Sequence, residues 1–119
     1  MCQRYRSKGF LCFNGLGSYK VLHNLQDSGT ASLFIREYLD PLLEYVEGGN
    51  KDLFDTLYVY LRVSGNLKDT AEHLHIHRNT LKYRLGKISE LLKLNIEDAE
   101  IRFNLMLAYK LYDLYLSSE

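Results

Sequence analysis

The sequence predicts an all-α fold, a helical bundle built around two short helices joined by a tight turn. Three observations predict it. Apolar residues recur at helical spacing along most of the chain, as in Leu81, Leu85, Ile88 and Leu92. A single proline occurs in 119 residues, which leaves long helices uninterrupted. The stretch NLKDTAEHLHIHRNTLKYRLGKI, residues 66–88, carries a helix cap, a short helix, a turn and a second helix in sequence.

The opening residues 1–25 fit no helix well and are expected to be the tail of a preceding domain or a linker. Residues 10–13 have the composition of a short strand, Gly15 and Gly17 punctuate it, and Tyr19, Leu22 and Leu25 follow at helical spacing. The helical domain proper is expected over 26–119. Its first helix is predicted over 30–46, with Phe34, Ile35, Tyr38, Leu39, Leu42 and Val46 as the apolar stripe. Pro41 falls inside that stripe, so the helix either kinks or restarts there. Glu47-Gly-Gly-Asn-Lys reads as a loop. The next helix is predicted over 52–63, with Leu53, Leu57, Tyr60 and Leu61 inward and Ser64-Gly65 as its stop.

Asn66 reads as the cap of a short helix, with Asp69 three residues on as a variant of the capping box. Leu67, Ala71 and Leu74 are its core-facing residues. His75 ends it and is expected to take a positive φ, with Ile76 plugging the turn. The second helix is predicted over 78–92, with Gly86 inside at a cost of ~1 kcal/mol relative to Ala, explained only by a close approach. Asn95, with Glu97 and Asp98, opens a last helix running to about residue 116. That helix is apolar on two faces, one through Ile101, Leu105, Ala108 and Tyr112, the other through Phe103, Leu107, Leu111 and Leu114. A second apolar face is either deeply buried or used against another chain.

Charge is zero overall, with 15 Lys and Arg against 15 Asp and Glu, but it is unevenly placed. Residues 1–22 hold four basic residues and no acid, residues 30–47 hold one basic residue and four acids, and residues 94–119 are acidic. From His75 to Ile88 there are four Lys or Arg and no acid. A neutral protein with one basic helix can present that face to nucleic acid while its other faces repel phosphate. The layout is that of a helix-turn-helix at 66–92, whose second helix enters a DNA major groove. Side chains at the start of that helix then reach base edges. Arg78 suits bidentate contact to guanine and Asn79 suits adenine. His77 and Thr80 suit bases or phosphates. Tyr83 either touches base or sugar or packs inward. Lys82, Arg84 and Lys87 suit phosphate contacts, which position the helix without specifying sequence.

Other chemistries find little support. His73, His75 and His77 alternate, but alternation gathers side chains on one side only in a strand, so a metal site is not expected. Cys2 and Cys12 have nine residues between them, which matches no common zinc spacing, and free thiols are expected. No cofactor motif and no nucleophile–base pairing is present, so the chain does not read as an enzyme. No apolar run approaches the ~18 residues of a membrane span, and the basic opening lacks a signal peptide's apolar core.

The segment LHIHRNTLKYRLGKI resembles the C-terminal DNA-binding domain of PucR/CdaR-type bacterial transcriptional regulators. The resemblance extends through GLGSYKVL, LDPLLEY, LFDTLYVYLRVSGNLKDTAEHLHIHRNTLKYRLGKISELLKL and NLMLAYKLYDL, covering roughly residues 15–116. RNTLKYRL is its most specific piece. The helix-turn-helix of that family is similar to the one in Fis. The resemblance implies the DNA-binding domain of a cytoplasmic regulator that acts on double-stranded DNA. It implies also that any small-molecule effector binds an N-terminal domain outside this chain. A homodimer is expected separately, because one such helix reads too few base pairs to single out a site and the last helix has apolar surface to spare for a second copy. Lys93 stands where many family members close the helix with Gly. The rival reading is an interaction or dimerisation module of the same fold that has lost DNA binding.

Overall fold

The structure is a computed structural model that describes Leu22 and residues 28–115. The expected short strand at 10–13, both cysteines, Tyr19 and Leu25 lie outside the described residues. Every described element is a helix, and none is long and apolar enough to cross a membrane. The described residues divide into two compact units, one of residues 33–109 and one of Leu22 and residues 28–32 with 110–115. In the second unit Leu22, Ala31 and Leu111 are buried, and the Tyr115 hydroxyl donates to the Leu22 carbonyl at 2.7 Å.

Helix α1 spans Ser28–Glu47 and runs through Pro41 without restarting. Proline has no N–H to give the carbonyl of Glu37, but Glu37 is exposed, so water can serve that carbonyl. Ile35, Leu39 and Leu42 are fully buried. Phe34 and Tyr38 are half-buried and pack ring on ring, with centroids 4.8 Å apart. The helix closes when the Asn50 N–H reaches the Tyr45 carbonyl at 2.9 Å and the Gly49 N–H the Val46 carbonyl at 3.0 Å. Gly49 takes φ +95°, which a side chain would resist.

Helix α2, Asp52–Arg62, buries Leu53, Phe54, Thr56, Leu57, Tyr60 and Leu61. The Asn50 side chain accepts from the Asp52 N–H at 2.9 Å, and Asp52 and Asp55 complement the positive end of the helix. Tyr109 donates its hydroxyl to the Phe54 carbonyl at 2.6 Å, and Tyr60 donates to the Ile96 carbonyl at 3.3 Å. Burial raises the pKa of both phenols above the ordinary value, Tyr109 the further, so both stay neutral donors. Ser64 and Gly65, with φ 58° and 81°, stop the helix as anticipated.

Helix α3 spans Leu67–Leu74. Asn66 caps it by accepting from the Asp69 N–H at 2.9 Å. The expected reciprocal half of the capping box is not used, since the Asn66 N–H goes to the Val63 carbonyl at 3.2 Å. Leu67, Ala71 and Leu74 are half-buried, and the fully buried residue of α3 is Thr70. Its hydroxyl can be buried because it donates to the Asn66 carbonyl at 2.7 Å.

Helix α4, Arg78–Leu92, has the predicted bounds. Lys93 closes it in the left-handed conformation, φ 57°, the geometry glycine usually supplies. Gly86 is exposed, and a Cβ placed there would meet nothing within 4 Å. Among the described residues nothing makes the close approach expected at Gly86, and nothing in the structure explains this glycine. Helix α5 spans Ala99–Tyr115. Its start lies beyond Asn95, whose side chain accepts from the Glu97 N–H in a local turn. Asp98 does the capping by accepting from the Ile101 N–H at 3.1 Å. Of the two apolar faces, Leu105, Ala108 and Leu111 are buried, Leu107 and Leu114 are half-buried, and Phe103 is exposed. Helices α2, α3 and α4 pack on one another in a three-helix cluster.

Candidate nucleic-acid interface

The turn between α3 and α4 is set by two residues. His75 takes φ 58° and ψ 43°, the positive φ anticipated from sequence. Its N–H reaches the Glu72 carbonyl at 3.2 Å, and the Ile76 N–H reaches the Ala71 carbonyl at 3.1 Å. The chain is thus turned sharply without glycine. His77 then caps α4, its Nδ1 accepting from the Asn79 N–H at 3.0 Å. A ring nitrogen that accepts carries no proton, so in this arrangement the proton of the neutral ring sits on Nε2. The reading from residue types gave His77 a contact role and missed this cap. The available signal was its position just before the first residue of the periodic helix.

On α4 the buried stripe is Leu81, Leu85 and Ile88, turned toward α2 and α3. The stripe dictates what faces out. Arg78, Asn79, Thr80, Lys82 and Tyr83 are all exposed, Tyr83 to 71% of its surface. Residues 78 and 79 lie one turn before 82 and 83, so these four share one helix face. Tyr83 thereby resolves to the outward of its two orientations. Lys87 lies two turns on from Thr80 and is half-buried. No acid occurs before Ser89 on this helix, and Glu90 is its first.

Arg84 stands apart from that set. Its guanidinium points to α2, where Nη1 donates to the Thr56 Oγ1 at 3.1 Å and Nη2 lies 3.9 Å from Asp52 Oδ2. Its side chain is 23% exposed. The expected phosphate contact by Arg84 therefore meets a side chain already engaged within the domain. Of the three alternating histidines, all are exposed, and no group of His, Cys, Asp or Glu among the described residues is placed to hold a metal.

Two packed helices, a glycine-free turn and an outward face on the second that is free of acids up to Ser89 define a helix-turn-helix domain. Residues 53–111 match the family model of the PucR C-terminal helix-turn-helix domain, and over these residues the chain belongs to that family. It is similar to the DNA-binding transcriptional activator AdeR of Bacillus subtilis (strain 168), with 27% identity over 105 residues, 88% of this chain and 25% of AdeR. The purine catabolism regulatory protein of the same organism is 40% identical over 62 residues, 52% of this chain and 12% of that protein. The proline-responsive transcriptional activator PutR, also from that organism, is 32% identical over 92 residues, 77% of this chain and 22% of PutR. The chain thus spans a quarter or less of each of these relatives. No solved structure matches it.

Proposed function

We propose that this domain binds double-stranded DNA sequence-specifically as part of a bacterial transcription regulator, with α4 in the major groove. The carrying observation is the outward face of α4, where Arg78, Asn79, Lys82 and Tyr83 are exposed together with no acid among them. Helix-turn-helix docking puts the first residues of the second helix against base edges. Arg78 and Asn79 then read bases, Thr80 and the outward Nε2 of His77 meet bases or phosphates, and Tyr83 lies against base or sugar. Lys82 and Lys87 neutralise phosphates. The work is cytoplasmic, and any small-molecule effector acts through parts of the regulator other than this domain.

The test is the salt dependence of binding. Lys82→Ala should weaken specific and random duplexes about equally and lower the log–log salt slope by about one. A loss confined to one base position would contradict the phosphate role. Absence of salt-dependent binding by the unaltered chain would favour the rival reading, an interaction module of the same fold.

The domain works in pairs under this proposal, because one such helix reads too few base pairs to single out a genomic site. A two-fold dimer favours inverted half-sites about 34–36 Å apart. Phe103, 66% exposed, is the most exposed apolar side chain of α5 and the one on that helix to test for pairing. Leu111 is buried, so a charge there would test folding instead. Phe103→Glu should weaken self-association in sedimentation at rising concentration. Unchanged association would move the interface elsewhere.

A further inference from the structure

We infer that Arg84 is a positioning residue for DNA recognition, one that fixes the seating of α4 on α2 and makes no phosphate contact. The inference rests on the DNA-binding reading above. Within α4, Arg84 lies three residues after Leu81 and four before Ile88, so it belongs to the inward stripe. Leu81 and Ile88 pack through apolar contact, which is non-directional and tolerates a roll of the helix about its own axis. A guanidinium fork does not. The Arg84 Nη1–Thr56 Oγ1 bond at 3.1 Å spans two helices and ends on a fully buried hydroxyl, so its far end is held by the packing of α2. The Asp52 carboxylate is mostly exposed and 3.9 Å away, so it adds little beyond favouring the direction. Arg78, Asn79, Lys82 and Tyr83 project from the same rigid helix, and a roll would move all four together.

Three variants of the 119-residue chain test this on a duplex selected by the unaltered chain from a random pool. Arg84→Lys keeps the charge and loses the fork. Thr56→Val leaves Arg84 in place and removes its acceptor. Arg84→Gln removes the charge. All three should lose roughly 10-fold or more in affinity for the selected duplex, up to about 150-fold, the order of one lost charge-assisted hydrogen bond, while the salt slope stays at the wild-type value. A slope lowered by about one in Arg84→Gln, with Arg84→Lys binding like wild type, would establish a phosphate contact and overturn the inference. A readout without DNA separates this from failure of the DNA-binding reading. Thr56→Val should shift the amide resonances along α4 and spare those at the C-terminal end of α5. Unchanged α4 resonances would overturn the inference whatever the DNA result, and shifted ones would support the seating role even if no duplex bound.

Discussion

Leu81→Ala should remove about 2–5 kcal/mol of folding stability, the range for deleting a large buried aliphatic side chain. Leu81 has 0% of its surface exposed and sits in the first turn of α4, facing the cluster made with α2 and α3. Two terms add. The lost methyl and methylene groups forfeit their transfer free energy, and the space left behind closes only in part, because the Arg84–Thr56 bond ties α4 to α2 and resists collapse around the gap. A domain of this kind has about 5–15 kcal/mol to lose, so the variant should unfold well below the wild-type urea midpoint. Tyr83→Ala, two residues away on the exposed face, should change stability by less than about 0.5 kcal/mol. A Leu81→Ala loss no larger than that of Tyr83→Ala would mean that the helix-turn-helix is not held together through this residue.

From the sequence Tyr83 has two orientations open to it, and only the structure separates them. The burial of Leu81 was legible in the sequence, and so were the bounds of α4. The reason is periodicity: four apolar residues at i, i+4, i+7 and i+11 leave one orientation for the helix. The positive φ at His75 was legible too, because the turn needed one and no glycine was available. What stayed hidden was polar and turned inward, Thr56 and Thr70 fully buried and Arg84 half-buried. Thr56, Thr70 and Arg84 all lie on inward stripes, but a reading by hydropathy assigns polar residues outward. Each is tolerated inside because it finds a specific partner, and such a partner lies outside the reach of spacing arguments. Arg84 was nonetheless within reach, since its position three residues after Leu81 places it on the buried side whatever its charge. The last helix shows the complementary failure. Its two apolar faces look equivalent along the chain, yet Leu105 and Leu111 are buried while Phe103 is exposed, because burial depends on where neighbouring helices lie. Its start was misplaced at Asn95 because Asn95 and Asp98 are both good caps, and only the backbone decides which one is used.

Arg78→Ala should cost about 1–3 kcal/mol on the preferred duplex, roughly a 5- to 150-fold loss, and should relax selectivity at one base position. Arg78 is the first residue of α4 and is exposed on the face it shares with Lys82. The chain as a whole carries no net charge, so long-range attraction contributes little and the contacts of this one face must carry recognition. An arginine there presents two parallel donors to the two acceptors on a guanine edge, a match that no other base pair offers in the major groove. Arg78→Lys should therefore lose most of the discrimination while keeping the sequence-independent charge attraction to the phosphates. Unfolding is a poor explanation for any such loss. A cation in the first turn of a helix opposes the macrodipole, so removing it should leave α4 as stable or slightly more so. The His77 cap is formed by a neighbouring side chain and the Asn79 N–H and does not involve the arginine side chain. Competition titrations with each base pair of the site replaced in turn would show the effect directly. If Arg78→Ala kept the wild-type preference at every position, the proposed register of α4 in the groove would be wrong, and base reading would have to move to Asn79 or Tyr83.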